Sequence, residues 1–92
     1  TLFDQEIEIM QIEETLQQHI AKTILFSNVY SYKDTDSFME NGILDSMNVM
    51  ELVVFLERQF SIQVADYEII PENFDSIHKL ASFVRSKQKV GV

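Results

Sequence analysis

The sequence predicts an all-α protein, a small helical bundle of three main helices and one short one with a long first loop. Three observations carry that expectation. Hydrophobic residues make up 46% of the chain, yet it holds only two glycines and one proline. That is too apolar for a disordered segment and too poor in breakers for many short strands. Apolar residues also recur at three- and four-residue steps in three stretches separated by polar loops. At 92 residues, the chain suits one compact domain. Residues 1–92 are read as that single domain, with a core from about 6 to 87.

The first helix is expected from about Asp4 to Phe26, with Ile9, Ile12, Leu16, Ile20 and Ile24 on one face. Glu6, Glu8, Glu13 and Glu14 lie toward its start, where the helix dipole favours negative charge. From Ser27 to Asp45 the pattern breaks, and Asn28, Ser31, Asp34, Asp36, Ser37, Asn41 and Gly42 mark a long loop. Tyr30, Phe38, Ile43 and Leu44 within it need cover, so Phe38 and one of Ile43 or Leu44 are expected to plug into the bundle. A loop of that length in a small domain is often functional.

A second helix is expected from about Ser46 to Phe60. Asp45 and Ser46 are both good N-cap types. Met50, Val53, Leu56 and Phe60 are read as its inward stripe, widened by Val49 and Leu52. Met47, Asn48, Glu51, Val54, Glu57 and Arg58 are read as facing outward. In Ser61 to Asp75, Ile62 and Val64 serve as loop anchors, Pro71 marks a short helical turn, and Phe74 enters the core. The last helix is expected from about Ser76 to Lys87, with Ile77, Leu80, Ala81 and Val84 inside.

Composition also narrows the function. The chain has no cysteine, which excludes a disulfide framework, a thiolate metal site and a cysteine nucleophile. Seven basic and fifteen acidic residues give a net charge of −8. Such a body repels nucleic-acid phosphates and is steered toward basic surfaces. All the acids lie between Asp4 and Asp75, whereas the tail from Ser76 holds only bases among its charged residues. No apolar run is long enough for a membrane span, since Val49 to Leu56 is interrupted by Glu51. A soluble cytoplasmic monomer is the expectation. Asp34-Thr35-Asp36 lacks the glycine and third acid of a calcium loop and reads as a solvated turn. His19 and His78 give no metal spacing, and no catalytic triad, paired-carboxylate or phosphate-loop motif is present.

The informative segment is Ser37 to Met47, which ends a loop and opens a helix with a serine hydroxyl at its N-terminus. A phosphate attached to Ser46 is expected to lie beside unpaired backbone N–H groups and the positive end of the dipole. The run Gly42-Ile43-Leu44-Asp45-Ser46-Met47, followed by Glu51-Leu52 and Phe55-Leu56-Glu57, resembles the phosphopantetheine attachment site of acyl and peptidyl carrier proteins. Phe38 matches a core position of that family. Phe60 to Val64 resembles its stretch after helix 2, and Ile77 to Val84 its last helix. The Asn41 to Ser46 run is similar to D-alanyl and freestanding aminoacyl carriers.

The resemblance implies an acyl-carrier-like four-helix bundle that is not an enzyme. It implies 4′-phosphopantetheine, delivered from coenzyme A by a phosphopantetheinyl transferase, on Ser46. Asp45 would help that transferase position its metal and cofactor. The arm would hold an acyl or aminoacyl thioester for partner enzymes, which explains thiol chemistry in a protein without cysteine. The implied partner face is Ile43, Met47, Glu51, Val54 and Glu57. Asn48, Arg58 and Gln59 depart from the acidic pattern of fatty-acid carriers, which points to an adenylate-forming acyl or aminoacyl ligase as loader, followed by downstream acyl-transfer enzymes. Two other classes stand beside this one. A helical adaptor domain would use Ser46 as a plain cap and carry no arm. A small hydrolase would need a base beside its nucleophile, and the sequence places none.

Overall fold

The computed structural model describes the backbone of residues 2–90 and the side chains of residues 11–88. Among these the secondary structure is entirely helical: α1 is Leu2–Thr23, α2 Asn48–Phe60, α3 Pro71–Phe74 and α4 Ile77–Val90, with a 3-10 turn at Asp66–Glu68. The fold class expected from the periodicity is the one observed. The fourth helix is the hub, packing against α1, α2 and α3. Leu16 and Ile20 of α1, Leu52 and Leu56 of α2, Phe74 of α3, and Ile77, Leu80, Ala81 and Val84 of α4 are buried in one core. Ile12 and Ile24 pack on its edge. Ile9 lies outside the described side chains.

Helix boundaries follow local chemistry. The first helix stops at Thr23, three residues before the expected end, and the chain leaves it through Leu25 N–H to Ile20 O and Ser27 N–H to Ala21 O. Phe26 then adopts φ +52°. Pro71 sits in the first turn of α3, where its missing N–H has no consequence. The hydroxyl of Ser76 accepts from Lys79 N–H at 3.0 Å and caps α4. Ser61 ends α2 in the left-handed conformation, φ +54° and ψ +46°. A side chain at this position is strained, and glycine is the usual occupant. Ser61→Gly is therefore expected to stabilise the fold by about 0.5–1 kcal/mol, read as a higher midpoint in urea.

The long loop is fastened at several points. Phe38 is fully buried and Ile43 nearly so, while Leu44 stays half-buried. Asp75, at the end of α3, holds the loop: its carboxylate accepts from Ser37 Oγ at 2.6 Å and Met39 N–H at 2.9 Å, and its carbonyl accepts from Phe38 N–H at 2.8 Å. Gly42 makes the last turn with φ +66°. Upstream, Gln17 donates to Asp34 at 2.6 Å, and Asp34 O accepts from His78 N–H. Burial pushes the Tyr30 phenol up to about 12, aided by the charges of Asp34 and Asp36 and by Tyr32.

Two expectations about α2 need correction. Met50 is 53% exposed, not inward. Phe60 is half-buried at the core edge, not fully inside. The buried set is Leu52, Val53 and Leu56. With Val49, Met50, Val54 and Phe55 also apolar, spacing alone could not choose the inner face, and packing against α4 does. Two basic residues of α4 are engaged within the fold. Arg85 pairs with Glu13, and Lys87 with Glu68 at 2.9 Å. Glu68 also accepts from Ala65 N–H, and that bond together with Lys87 holds its carboxyl below the usual range.

Candidate functional site

The loop and α2 meet at Asp45, Ser46 and Asn48. Regular α2 begins at Asn48, but its hydrogen bonding begins at Asp45, whose carbonyl accepts from Val49 N–H at 3.1 Å. The Asp45 carboxylate accepts from Met47 N–H at 2.8 Å and Asn48 N–H at 2.9 Å. Asn48 returns the bond, its Oδ1 accepting from Asp45 N–H at 2.7 Å. The pair is a reciprocal capping box. Asn48 Nδ2 also donates to Ile43 O at 2.9 Å, which ties the helix start to the loop.

This arrangement decides what Ser46 does. Of the two cap candidates, Asp45 takes the cap. Ser46 sits in the first turn, exposed, and no described residue hydrogen-bonds its hydroxyl. It is therefore a solvent-facing oxygen on a rigid, capped helix start. One expectation changes: the Met47 and Asn48 N–H groups are already occupied by Asp45 and do not form an open cradle for a phosphate. A group on Ser46 Oγ would extend outward, with a carboxylate behind it.

Asp45 and Ser46 border an open cleft of about 250 Å³ whose walls include Leu44, Val49, Ile69, Ile70 and Phe74. The walls come from the loop, from α2 and from the segment entering α3, so the cleft exists only once the bundle has closed. Neither histidine lines it. His19 is stacked on Phe55, with ring centroids 3.6 Å apart, and bonds Glu51 at 3.0 Å. His78 is exposed on α4. Among the described residues no group of acids and histidines could hold a metal, and no helix is long and apolar enough to cross a membrane.

The expected partner face is only partly assembled. Met47 is 84% exposed and Val54 50% exposed, one above the other on α2. Glu51 is exposed but bonded to His19. Glu57 is half-buried, its carboxylate accepting from Val64 N–H at 3.0 Å. Ile43 does not belong to the face: it is 2% exposed and packed in the core. Its N–H bonds Phe38 O, which turns it inward. Met50, read as inward, is exposed on this side of α2 instead. Asp75 and the cap role of Asn48 were not read from the sequence. The second has a local signal in Asp-x-x-Asn; the first, 38 residues from its serine partner, has none.

Fold and site together define a helical domain that presents a serine at the start of its second helix, in the manner of a carrier. No family model matches the chain. It is 34% identical to a D-alanyl carrier protein of Leuconostoc mesenteroides over 77 residues, 84% of this chain and 96% of that one. It is 35% identical to a D-alanyl carrier protein of Streptococcus suis over 75 residues, 82% and 92% of the two chains. An acyl carrier protein of Buchnera aphidicola is 26% identical over 85% of this chain and 95% of its own. The chain belongs to the family of D-alanyl and acyl carrier proteins. It is a carrier protein and not an enzyme, and the adaptor reading is set aside.

Proposed function

We propose that the protein carries an aminoacyl group on a 4′-phosphopantetheine arm joined to Ser46 Oγ, and that an adenylate-forming ligase loads it. The observation that carries this is the exposed hydroxyl of Ser46, which no described residue bonds, on a helix that Asp45 and Asn48 cap without it. When attached, the arm supplies a thiol that holds the cargo as a thioester. For attachment, Ser46 Oγ forms the new bond to phosphorus of coenzyme A, 3′,5′-ADP leaves, and the serine proton passes to a base. Serine is a weak nucleophile without one, and no described side chain bonds this hydroxyl, so the base belongs to the transferase. Asp45, spent on the helix start, keeps the serine turn rigid while presenting its outer carboxylate oxygen to that enzyme. The apolar cleft beside Ser46 gives the arm a surface to rest on. A cytoplasmic setting follows from these partners.

The D-alanyl carriers among the relatives make D-alanine the first cargo to test. Holo protein is offered to a D-alanine-activating ligase and to a fatty-acyl–carrier ligase. Aminoacylation without efficient fatty acylation is expected; strong, salt-sensitive fatty acylation alone would overturn the cargo and leave the carrier role standing. Within the loading reaction, Met47→Ala is expected to slow transfer more than Glu57→Gln. Met47 is almost fully exposed at the arm's base, whereas Glu57 is turned to Val64. Exposed apolar anchors at the centre of an interface dominate affinity, and rim charges mainly tune association. Equal effects in steady-state loading would count against this face.

A further inference from the structure

On the exposed face of α2, Met47, Met50, Val54 and Arg58 follow one another at steps of three and four residues and form one stripe. The first three are apolar and 84%, 53% and 50% exposed. Two carboxylates flank the stripe, and both are already engaged. Glu51 bonds His19 at 3.0 Å, and Glu57 accepts from Val64 N–H at 3.0 Å. Arg58 is different. It is exposed, and no described residue pairs with it. With Glu51, Val54, Phe55, Gln59 and His19 it borders a groove of about 440 Å³. On a chain of net charge −8, the charge at the foot of this stripe that has no partner among the described residues is positive.

We propose that Arg58 selects the loading ligase: the partner seats an apolar patch on Met47, Met50 and Val54 and places a carboxylate against Arg58. This rests on the carrier function proposed above. The complementarity runs opposite to what the net charge suggests. A partner that docked through a basic patch would meet Arg58 as a like charge, and like charges in an interface are strongly disfavoured. A guanidinium also binds a carboxylate through two parallel hydrogen bonds, which fixes orientation as well as contact. Arg58 stands about 15 Å along α2 from Asn48, at 1.5 Å per residue. It therefore lies far from the arm's base and acts on docking and not on chemistry.

The test is a charge series at position 58 in holo protein, loaded by a D-alanine-activating ligase. Each variant is first shown by intact mass to carry one phosphopantetheinyl group and by circular dichroism to be folded. Arg58→Gln is expected to raise KM several-fold and Arg58→Glu roughly tenfold or more, with kcat nearly unchanged. Arg58→Lys is expected to recover part of the loss. Raised salt should narrow the gap between wild type and Arg58→Glu. The sign decides the matter. Loading that is unchanged or faster in Arg58→Glu overturns the proposal, because a basic-patch partner would gain from that variant. A fall in kcat with KM constant would overturn it too. Wild-type protein that takes no arm would instead sink the carrier function on which this rests, and holo protein that the ligase does not load would remove the partner.

Discussion

Ser46→Ala is expected to abolish addition of phosphopantetheine completely and to leave the fold almost untouched. Both halves come from the same hydrogen bonds. The start of α2 is held by Asp45 and Asn48, each bonding the other's backbone N–H, and Ser46 adds no bond to that arrangement. Surface substitutions away from such features usually shift stability by less than about 0.5 kcal/mol. Loss of modification in Ser46→Ala would therefore report a missing acceptor oxygen and not a melted helix. The measurement is intact mass after incubation of apo protein with coenzyme A, magnesium and a broad-specificity transferase, beside the far-ultraviolet dichroism of both proteins. Asp45→Ala is the informative contrast, since removal of an N-cap costs about 0.5–2 kcal/mol. Addition of the arm to Ser46→Ala would show that another residue is the attachment point.

The largest loss of stability is expected at Leu56. This side chain is fully buried where α2 meets α4. Leu56→Ala removes its transfer free energy and leaves a cavity, which together cost about 2–5 kcal/mol. Domains this size have total stabilities on the order of 5–15 kcal/mol, so the variant stands near unfolding. Val54, two residues away and half exposed, is expected to lose less than about 0.5 kcal/mol on truncation. Urea unfolding of the two variants beside wild type measures both. Comparable losses would mean that α2 packs through a different face.

The contrast between Leu56 and Val54 was legible in the sequence, and that between Leu56 and Met50 was not. Both have the same cause. Between Val49 and Leu56 the chain is apolar around most of the helix, interrupted only by Glu51. A periodicity so weakly broken leaves the inner face open over tens of degrees. It sufficed to set Val54 outward but also set Met50 inward, where the structure exposes it. The cap shows the same division. Asp45 and Ser46 are equivalent cap candidates as residue types. The backbone turn then lets the carboxylate of Asp45 reach two N–H groups, which frees the serine.

What the sequence by itself determined is local or repetitive. The helices and their order follow from apolar spacing, Phe38 and Phe74 as core residues follow from isolated apolar positions in polar stretches, and the attachment candidate follows from the resemblance of a short run at a loop-to-helix junction to the carrier-protein site. Only the tertiary structure decided which distant residues meet. Asp75 pins the loop at Ser37, Phe38 and Met39, Ile43 turns into the core and away from the expected partner face, and His19 and Val64 engage the acids of α2 and leave Arg58 without a partner among the described residues. The physical reason is range. Spacing and capping act within one or two turns of chain, whereas a carboxylate's partner, and so whether its charge is free to meet another protein, is chosen when helices far apart in sequence pack together.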